Sequence, residues 1–198
     1  MHIVGITGPS GSGKSLLGKY LSSKAFPVIN ADEVYHSLLI PPSECLDKLR
    51  AAFGNDIFNE DGTLDRKKLA SLVFSDDAKL TLLNATVLDV VLEKTRRIIK
   101  QYENGGASIV FVDAPTLIES GFHKECNTVI SVIASKEIRI ERIIKRDNIT
   151  KSKAEERISA QKNDDFYYSH SDFVITNDTT EESFLSQAKT VLKGIIDL

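Results

Sequence analysis

A glycine-rich octapeptide near the start of the chain contains the residue types that hold a phosphate group. The run Gly8-Pro9-Ser10-Gly11-Ser12-Gly13-Lys14-Ser15 fits the pattern Gly-x4-Gly-Lys-[Ser/Thr]. Its glycines allow backbone N–H groups to point inward at an anion, and the expected helix N-terminus adds a favourable partial charge. In this pattern Lys14 reaches the β- and γ-phosphates of a nucleotide, and the Ser15 hydroxyl binds Mg²⁺. The alternative interpretation is a glycine-rich turn that opens an ordinary helix.

Two aspartates that follow predicted strands are candidates for the chemistry beside this loop. Parallel sheets bind ligands at the carboxyl ends of their strands. A carboxylate at Asp32 can accept the proton of an attacking hydroxyl or help to hold Mg²⁺. The alternative is a purely structural role for Asp32 as a helix N-cap. Asp113 ends a run of four apolar residues, as a second Mg²⁺-organising carboxylate does in phosphate-loop proteins. A turn-initiating role before Pro115 is the alternative for Asp113.

A basic run in the C-terminal half is a candidate for binding the transferred phosphoryl group, because guanidinium groups bind phosphate oxygens bidentately. Its members are Arg139, Arg142, Lys145, Arg146, Lys151, Lys153 and Arg157. Most of them are explained by a charged helix face, and we expect one or two to contact phosphate. Arg146 is favoured because Asp147-Asn148 interrupts the helical pattern there. Arg66 and Lys67 either bind an anionic acceptor or start a solvated helix.

The elements that must position these residues alternate between short apolar strands and helical patterns, which predicts an α/β fold with a parallel sheet covered on both faces. The predicted strands are Ile3–Thr7, Pro27–Asn30, Ser108–Asp113, Thr128–Ile133 and Phe173–Thr176. The predicted helices are Lys14–Ser23, Lys136–Arg146, Lys153–Lys162 and Glu181–Ile196. The stretch Ala31–Gln101, with breaks at Pro41-Pro42 and Asn59–Gly62, is too long for one crossover helix and predicts a helical subdomain.

Composition limits the class of protein. The chain has 198 residues, is 41% hydrophobic and carries a net charge of −3, so we expect one domain with an insertion and no nucleic-acid partner. Cys45 and Cys126 are expected to be reduced, buried thiols, and the four histidines lack metal-ligand spacing. We expect no signal peptide, because the N-terminus lacks a basic n-region and a long apolar core, and no membrane span, because no apolar run approaches roughly 18 residues. We therefore expect a soluble, cytoplasmic protein with no membrane partner.

The ordered set of motifs resembles the dephospho-coenzyme A kinase family over essentially the whole chain. The matching stretches are Gly5–Gly8 with Gly13–Ser15, Asn30–Asp32 with Val34, Phe53-Gly54, Asp61–Arg66, Leu69, Val73-Phe74, Leu83-Asn84, Asp113–Glu119, Arg142 with Lys145–Asp147, Gln161, and Ser171–Asn177. The phosphate loop is shared with many kinases. The Gly-Thr-Leu-Asp-Arg stretch and the late Ser-Asp-Phe-Val-Ile-Thr-Asn stretch are more specific to this family.

The resemblance implies a three-layer phosphate-loop NTPase fold with a five-stranded parallel sheet and flanking helices. Residues 1–30 and 104–198 would form the nucleotide-binding core, with a lid at about 139–162. Residues 31–103 would form a helical acceptor-binding insertion. The implied donor is ATP with Mg²⁺, and the implied acceptor is the ribose 3′-hydroxyl of dephospho-CoA, in the final step of coenzyme A biosynthesis.

The resemblance also implies roles for individual residues. Asp32 would be the catalytic base, with Lys14 and Arg146 stabilising the transferring phosphoryl group. Ser15 would bind Mg²⁺, with an indirect part for Asp113, and Gln161 would belong to the hinge of the lid. The implied ATP-binding residues are Gly8, Pro9, Ser10, Gly11, Ser12, Gly13, Lys14, Ser15, Leu16, Arg142 and Asn177. The implied acceptor-binding residues are Asp32, His36, Arg66 and Leu117.

The chain departs from the family pattern at two places. Asn30 stands where the family usually has Asp, which leaves Asp32 without its carboxylate neighbour and should make Asp32 easier to ionise. Leu88-Asp89 stands where the family usually has His-Pro, which weakens any acceptor contact assigned to that histidine. Neither change touches the phosphate loop.

Three other classes of phosphate-loop protein are alternatives. Another nucleoside or nucleotide kinase would use the same donor machinery with a different acceptor. A regulatory GTPase is disfavoured, because Gln161 occupies the key position of the nearest [Asn/Thr]-Lys-x-Asp string and Asp113 is not followed by Asp-x-x-Gly. A transport ATPase is disfavoured because its Leu-Ser-Gly-Gly-Gln signature does not occur.

Overall fold

The fold is built on five strands joined in one sheet. The computed structural model describes residues 1–74 and 76–196, so Asp197 and Leu198 of the predicted core lie outside the described residues. The strands are β1 (His2–Thr7), β2 (Val28–Asn30), β3 (Ile109–Asp113), β4 (Thr128–Ile133) and β5 (Phe173–Thr176). Their order is β2-β3-β1-β4-β5, and β1 pairs in parallel with both β3 and β4. This arrangement confirms the predicted α/β fold with a five-stranded parallel sheet.

Helices occupy most of the chain between the strands. They are α1 (Lys14–Ser23), α2 (Ala31–Ser37), α3 (Glu44–Phe53), α4 (Arg66–Phe74), α5 (Asp77–Asn104), α6 (Lys136–Asp147), α7 (Lys151–Ser159), α8 (Asp164–Ser169) and α9 (Glu181–Ile196). Short 3-10 turns cover Asn55–Ile57 and Phe122–Glu125. No helix in the described ranges has both the length and the apolarity needed to cross a bilayer.

The strands are apolar on both faces because both faces are covered. All six residues of β4 are buried, as expected for a central strand of a parallel sheet. One core cluster joins Ile6, Ile130 and Ile175 of the sheet to Leu17 of α1 and Phe184 of α9. A second cluster packs Ile118, Ile133 and Tyr167, with Tyr167 supplied by α8. Packing on both faces of the sheet holds the carboxyl ends of β1 and β3, and the loops that follow them, in place.

The chain divides into two compact units. One comprises residues 1–29 and 102–198, of which 197 and 198 are not described, and the other comprises Asn30–Gln101. Within the second unit, α3 and α4 both pack on the 3-10 turn Asn55–Ile57. A backbone bridge between Phe58 and Leu64 closes the turn at the Asp61–Arg66 stretch.

Two helices near residue 160 differ from the prediction. The predicted helix Lys153–Lys162 is α7, which begins at Lys151 because the Thr150 side chain caps it, and ends at Ser159. Helix α8 was not predicted. It starts after Asn163, whose side-chain oxygen accepts a hydrogen bond from the Phe166 N–H at 3.1 Å. Asn163 followed by two aspartates is an ordinary helix-start signal and could have revealed α8.

Candidate active site

The glycine-rich loop joins β1 to α1 in the strand–loop–helix order that its pattern requires. Gly8 has φ of 140°, and a Cβ there would lie 2.1 Å from the Val132 carbonyl oxygen of β4. Gly13 has φ of 100°, and a Cβ there would lie 2.1 Å from Nδ2 of Asn177. L-residues rarely adopt these φ values. Both glycines are therefore needed for the loop to pack against β4 and the segment after β5.

The start of α1 is suited to an anion. Gly13 occupies the N-cap position, where it has no side chain to bond the first-turn N–H groups, and the first turn contains no acidic residue. Uncapped N–H groups and the helix dipole favour a bound oxyanion. The buried Ser12 hydroxyl also has no hydrogen-bond partner within the described ranges. Buried polar atoms almost always have partners, so this one fits a site completed by a ligand.

The side chains of Lys14 and Ser15 lie on the first turn of α1. The Lys14 ammonium donates to the carbonyl oxygens of Gly8 at 2.6 Å and Pro9 at 3.4 Å, so it folds back over the loop. The Ser15 side chain is exposed. The contacts of Lys14 with phosphate and of Ser15 with Mg²⁺ stay predictions.

Arg142 and Asn177 brace the loop from outside. Arg142 Nη1 donates to the carbonyl oxygens of Gly11 and Ser12, at 3.3 Å in each case. Its Nη2 donates to the Asn177 carbonyl oxygen at 3.0 Å. Asn177, only 5% exposed, donates from Nδ2 to the Ser12 carbonyl oxygen at 2.8 Å. Both side chains thus hold the loop backbone, and their direct contact with ATP stays a prediction.

Arg146 ends α6 within reach of the loop. Its Nη2 lies 3.3 Å from Ser10 Oγ, and its Nε donates to Asp147 Oδ1 at 2.7 Å. Asp147 also accepts from Arg157. Hydrogen bonds from Arg146 first, and then Arg157, lower the pKa of Asp147 to about 2. The left-handed Asn148 (φ 51°) ends the helix here, as the sequence predicted.

Asp113 lies at the end of β3, opposite Ile6 in the register with β1. Its side chain is buried, with 8% of the residue exposed, and Oδ2 lies 3.9 Å from where a Cβ on Gly18 of α1 would be. No group of three or more His, Cys, Asp or Glu side chains in the described part of the chain could form an all-protein metal cage. A hydroxyl at Ser15 and a carboxylate at Asp113 instead match the sparse oxygen ligands with which Mg²⁺ binds beside phosphates.

Asp32 lies in the first turn of α2 but does not cap it. The N-cap is Asn30, whose Oδ1 accepts hydrogen bonds from the N–H groups of Asp32 at 2.9 Å and Glu33 at 3.2 Å. The alternative interpretation of Asp32 as an N-cap was therefore wrong. The Asp32 carboxylate is exposed on the first turn, and Asn in place of the family's Asp keeps the capping oxygen.

The other predicted acceptor residues have different surroundings. Arg66 and His36 are exposed. Arg66 starts α4, whose first turn is capped by Asp65 through the Lys67 and Lys68 N–H groups at 3.0 Å. Leu117 is fully buried, with Cδ2 2.5 Å from where a Cβ on Gly5 would lie. Leu117 consequently presents no surface to an acceptor and serves the core.

Sequence reasoning grouped Arg139 with the surface charges, but its side chain is buried, with 4% of the residue exposed. Burial lowers the pKa of Arg139, and the nearby Asp164 carboxylate, 3.9 Å away, opposes that shift. A signal was available, because Arg139 and the buried Ile143 are four residues apart and share one face of α6.

A parallel sheet with Gly-x4-Gly-Lys-Ser between β1 and α1 defines the class of phosphate-loop nucleotide-binding proteins. A family model described as dephospho-CoA kinase matches residues 2–183. The dephospho-CoA kinase of Corynebacterium glutamicum is 33% identical over 193 residues, which cover 98% of this chain and 96% of that protein. The chain belongs to the dephospho-CoA kinase family, and it is a kinase.

Two solved structures share the fold of this chain. A crystal structure of a Thermus thermophilus protein is 29% identical, has a TM-score of 0.79, and is matched over 98% of this chain and 97% of that one. Dephospho-CoA kinase from Campylobacter jejuni is 24% identical, has a TM-score of 0.72, and is matched over 98% of this chain and 96% of that one. At that identity the second likeness supports the fold.

Proposed function

We propose that the protein transfers the γ-phosphoryl group of ATP to the ribose 3′-hydroxyl of dephospho-CoA in the cytoplasm, as the final step of coenzyme A biosynthesis. The observation that carries this proposal is the family match over residues 2–183, which includes both the loop and the helical unit. The hydroxyl oxygen forms a bond to the γ-phosphorus, the bond to the β-phosphate oxygen breaks, and ADP leaves. The hydroxyl proton passes to a carboxylate.

The loop and its basic neighbours would bind the donor. Loop N–H groups and the start of α1 bind the β-phosphate, while the Lys14 ammonium, now folded over Gly8, neutralises charge at the β- and γ-phosphates. Arg146, beside Ser10, stabilises the equatorial oxygens of the transferring group. Catalysis of this kind consists mostly of positioning and electrostatic stabilisation.

A magnesium ion fits the oxygen ligands at this edge of the sheet. Ser15 would contribute a hydroxyl ligand to the ion. Asp113 would hold the ion through ordered water molecules or orient the water molecules that coordinate it. When bound, such an ion would supply positive charge that offsets the negative charge of the donor phosphates. Hydroxyl and carboxylate oxygens are the ligands that such an ion prefers.

The helical unit would bind the acceptor. Asp32 is the proposed base because its carboxylate is exposed and its position is fixed by the Asn30 cap. The exposed cation of Arg66 and the imidazole of His36 are the proposed contacts for the anionic phosphates of dephospho-CoA. In the same unit, the ring centroid of Tyr35 lies 5.6 Å from that of His36.

An acceptor panel tests the substrate. Purified protein is supplied with Mg-ATP and, separately, dephospho-CoA, AMP, adenosine or cytidine monophosphate, and the product is identified by mass. We expect a single phosphoryl addition to dephospho-CoA, at a kcat/KM at least tenfold above any other acceptor. Phosphorylation of a nucleoside or nucleotide at the higher rate would replace dephospho-CoA as the acceptor and favour another phosphate-loop kinase.

A further inference from the structure

Each of the three polar groups of Ser10, in the glycine-rich loop, contacts a different side chain from residues 136–161. The Ser10 N–H donates to Gln161 Oε1 at 3.1 Å. Its carbonyl oxygen accepts from Arg139 Nε at 3.0 Å. Its hydroxyl lies 3.3 Å from Arg146 Nη2. The Ser10 N–H and the Ser12 N–H, which donates to the Pro9 carbonyl oxygen at 3.2 Å, are therefore both hydrogen-bonded within the protein.

Arg139 and Gln161 also bond to each other. Arg139 Nη2 donates to the same Gln161 Oε1 at 2.7 Å, so one amide oxygen receives both the Ser10 N–H and the guanidinium. The two side chains therefore hold both peptide units that flank the Ser10 Cα, one through its N–H and the other through its carbonyl oxygen. Hydrogen bonds with a charged partner are stronger than neutral ones, and this one is largely shielded from water.

Arg139 and Gln161 lie in and next to a packed helical hairpin formed by α6 and α7. Helices α6 and α7 share a small apolar core of Ile140, Ile143, Ala154 and Ile158. Arg139 lies one turn into α6, Arg146 lies at its far end, and Gln161 follows α7. A Cβ on Gly11 would lie 2.8 Å from the Arg139 carbonyl oxygen, so the loop also packs directly on the α6 backbone.

We infer that Arg139 and Gln161 are positioning residues that clamp the Ser10 backbone to the α6–α7 hairpin. This clamp fixes the conformation of the loop for phosphate binding, and it holds Arg146 at a set distance from the loop. Neither side chain needs to touch the nucleotide. The clamp acts through Ser10, whose position sets the curl of Gly11–Ser15. This inference rests on the nucleotide site of the proposed function, but it is independent of the acceptor.

Three variants distinguish the effect of the Gln161 amide oxygen from the effect of the size of the side chain. Gln161→Leu removes the acceptor at similar size, and Gln161→Glu keeps an oxygen that both donors can reach. Gln101→Leu makes the same chemical change at an exposed glutamine of α5. The probe is the Mg²⁺ complex of adenylyl imidodiphosphate, with its Kd measured by calorimetry. Hydrogen exchange at Ser10 and the thermal unfolding midpoint are measured in parallel.

Gln161→Leu should weaken analogue binding about tenfold, since it removes one neutral and one charge-assisted hydrogen bond. Exchange at Ser10 should accelerate, while Gln161→Glu and Gln101→Leu should bind within about twofold of wild type. Equal binding by Gln161→Leu and wild type would overturn the clamp, as would equal loss in Gln161→Leu and Gln161→Glu. Because no acceptor is present, failure of the dephospho-CoA assignment cannot produce either result. A wild-type protein that does not bind the analogue would instead overturn the nucleotide site.

Arg139 tests the other half of the clamp, and Lys is the chosen replacement because the site is buried. Arg139→Lys keeps one charge but cannot bond both Ser10 and Gln161 with a planar fork. We expect weaker analogue binding than in wild type, and little additional loss when Gln161→Leu is combined with it. Fully additive losses would show that the two residues act separately and would contradict a shared clamp.

Discussion

Asp32 is the residue on which the proposed chemistry depends most. Its carboxylate is exposed, and its helix is capped by Asn30 without its help. Asp32→Asn should therefore leave the fold intact and reduce kcat roughly 10²-fold or more, the usual cost of removing a general base. Affinity for the Mg²⁺–ATP analogue should be unchanged, as measured by calorimetry.

Glu33→Gln is the matched control for Asp32→Asn, because Glu33 is the next exposed carboxylate on the same helix turn. It should keep near wild-type turnover in steady-state assays. A near-normal kcat for Asp32→Asn would refute the assignment of the base. An equal loss in both variants would point instead to the charge of the helix start.

Asp147 gives a prediction about pH. Its pKa is lowered to about 2 by hydrogen bonds from Arg146 and Arg157. A carboxylate with a depressed pKa stabilises the fold fully above its unfolded pKa of about 4 and loses that effect as pH falls towards its folded pKa. Wild type should therefore be more stable than Asp147→Asn by a constant margin from pH 5 to 8, shrinking between about pH 4 and 2.

Chemical denaturation across that pH range measures the margin. Asp56→Asn, at an exposed carboxylate with no ion pair among the described residues, serves as the control and should show no such margin. A margin that first appears above pH 6, or that persists unchanged to pH 2, would contradict the role of the Asp147 carboxylate.

Individual residues were predicted unevenly from sequence. The strand–loop–helix position of the loop and the place of Asp113 at the end of β3 were predicted correctly, because apolar runs and motif spacing are local signals. Their roles towards ATP and Mg²⁺ stay predictions. The cap formed by Asn30 and the burial of Arg139 were missed, because a cap or a buried charge depends on which atoms of the folded chain lie nearby. Leu117 was assigned to the acceptor by resemblance, whereas packing against Gly5 places it in the core.

The loop between β1 and α1 packs directly against the backbone of β4. At Gly8 an added methyl group would collide with the Val132 carbonyl oxygen in a backbone conformation that L-residues avoid. Gly8→Ala should lower the free energy of unfolding by about 1–3 kcal/mol and abolish analogue binding. Denaturant titration and calorimetry would measure the two effects.

Gly194→Ala is the matched substitution, because Gly194 lies in α9 with nothing within 4 Å of an added Cβ. It should stabilise the protein by about 0.5–1 kcal/mol, the difference in helix propensity. Gly8→Ala with unchanged stability and binding would show that the loop can move away from β4 at no cost.

Elements with strong local signals were predicted well. Strand β4 and helices α1 and α9 have the predicted bounds, since an apolar run or a regular periodicity fixes each of them. Helix α7 was shifted and α8 was missed, because the side-chain caps of Thr150 and Asn163 decide where these helices begin.

At the scale of the whole molecule, two compact units suit a reaction with two substrates. The unit of residues 1–29 and 102–198, described to residue 196, contains the loop, Asp113 and the α6–α7 hairpin. The unit Asn30–Gln101 contains Asp32, His36 and Arg66. The proposed division of donor and acceptor binding between them agrees with the long helical insertion, since a pantetheine arm needs more surface than a nucleoside does.

The most direct test of the central claim is coenzyme A formation from dephospho-CoA and Mg-ATP, followed by mass with ADP release. Wild type should produce one coenzyme A for each ADP, with ³¹P NMR placing the new phosphate on the ribose 3′ oxygen. Lys14→Ala should lose turnover by roughly 10² or more, since Lys14 stabilises the transferring phosphoryl group. ADP release without coenzyme A, or undiminished turnover by Lys14→Ala, would contradict the account.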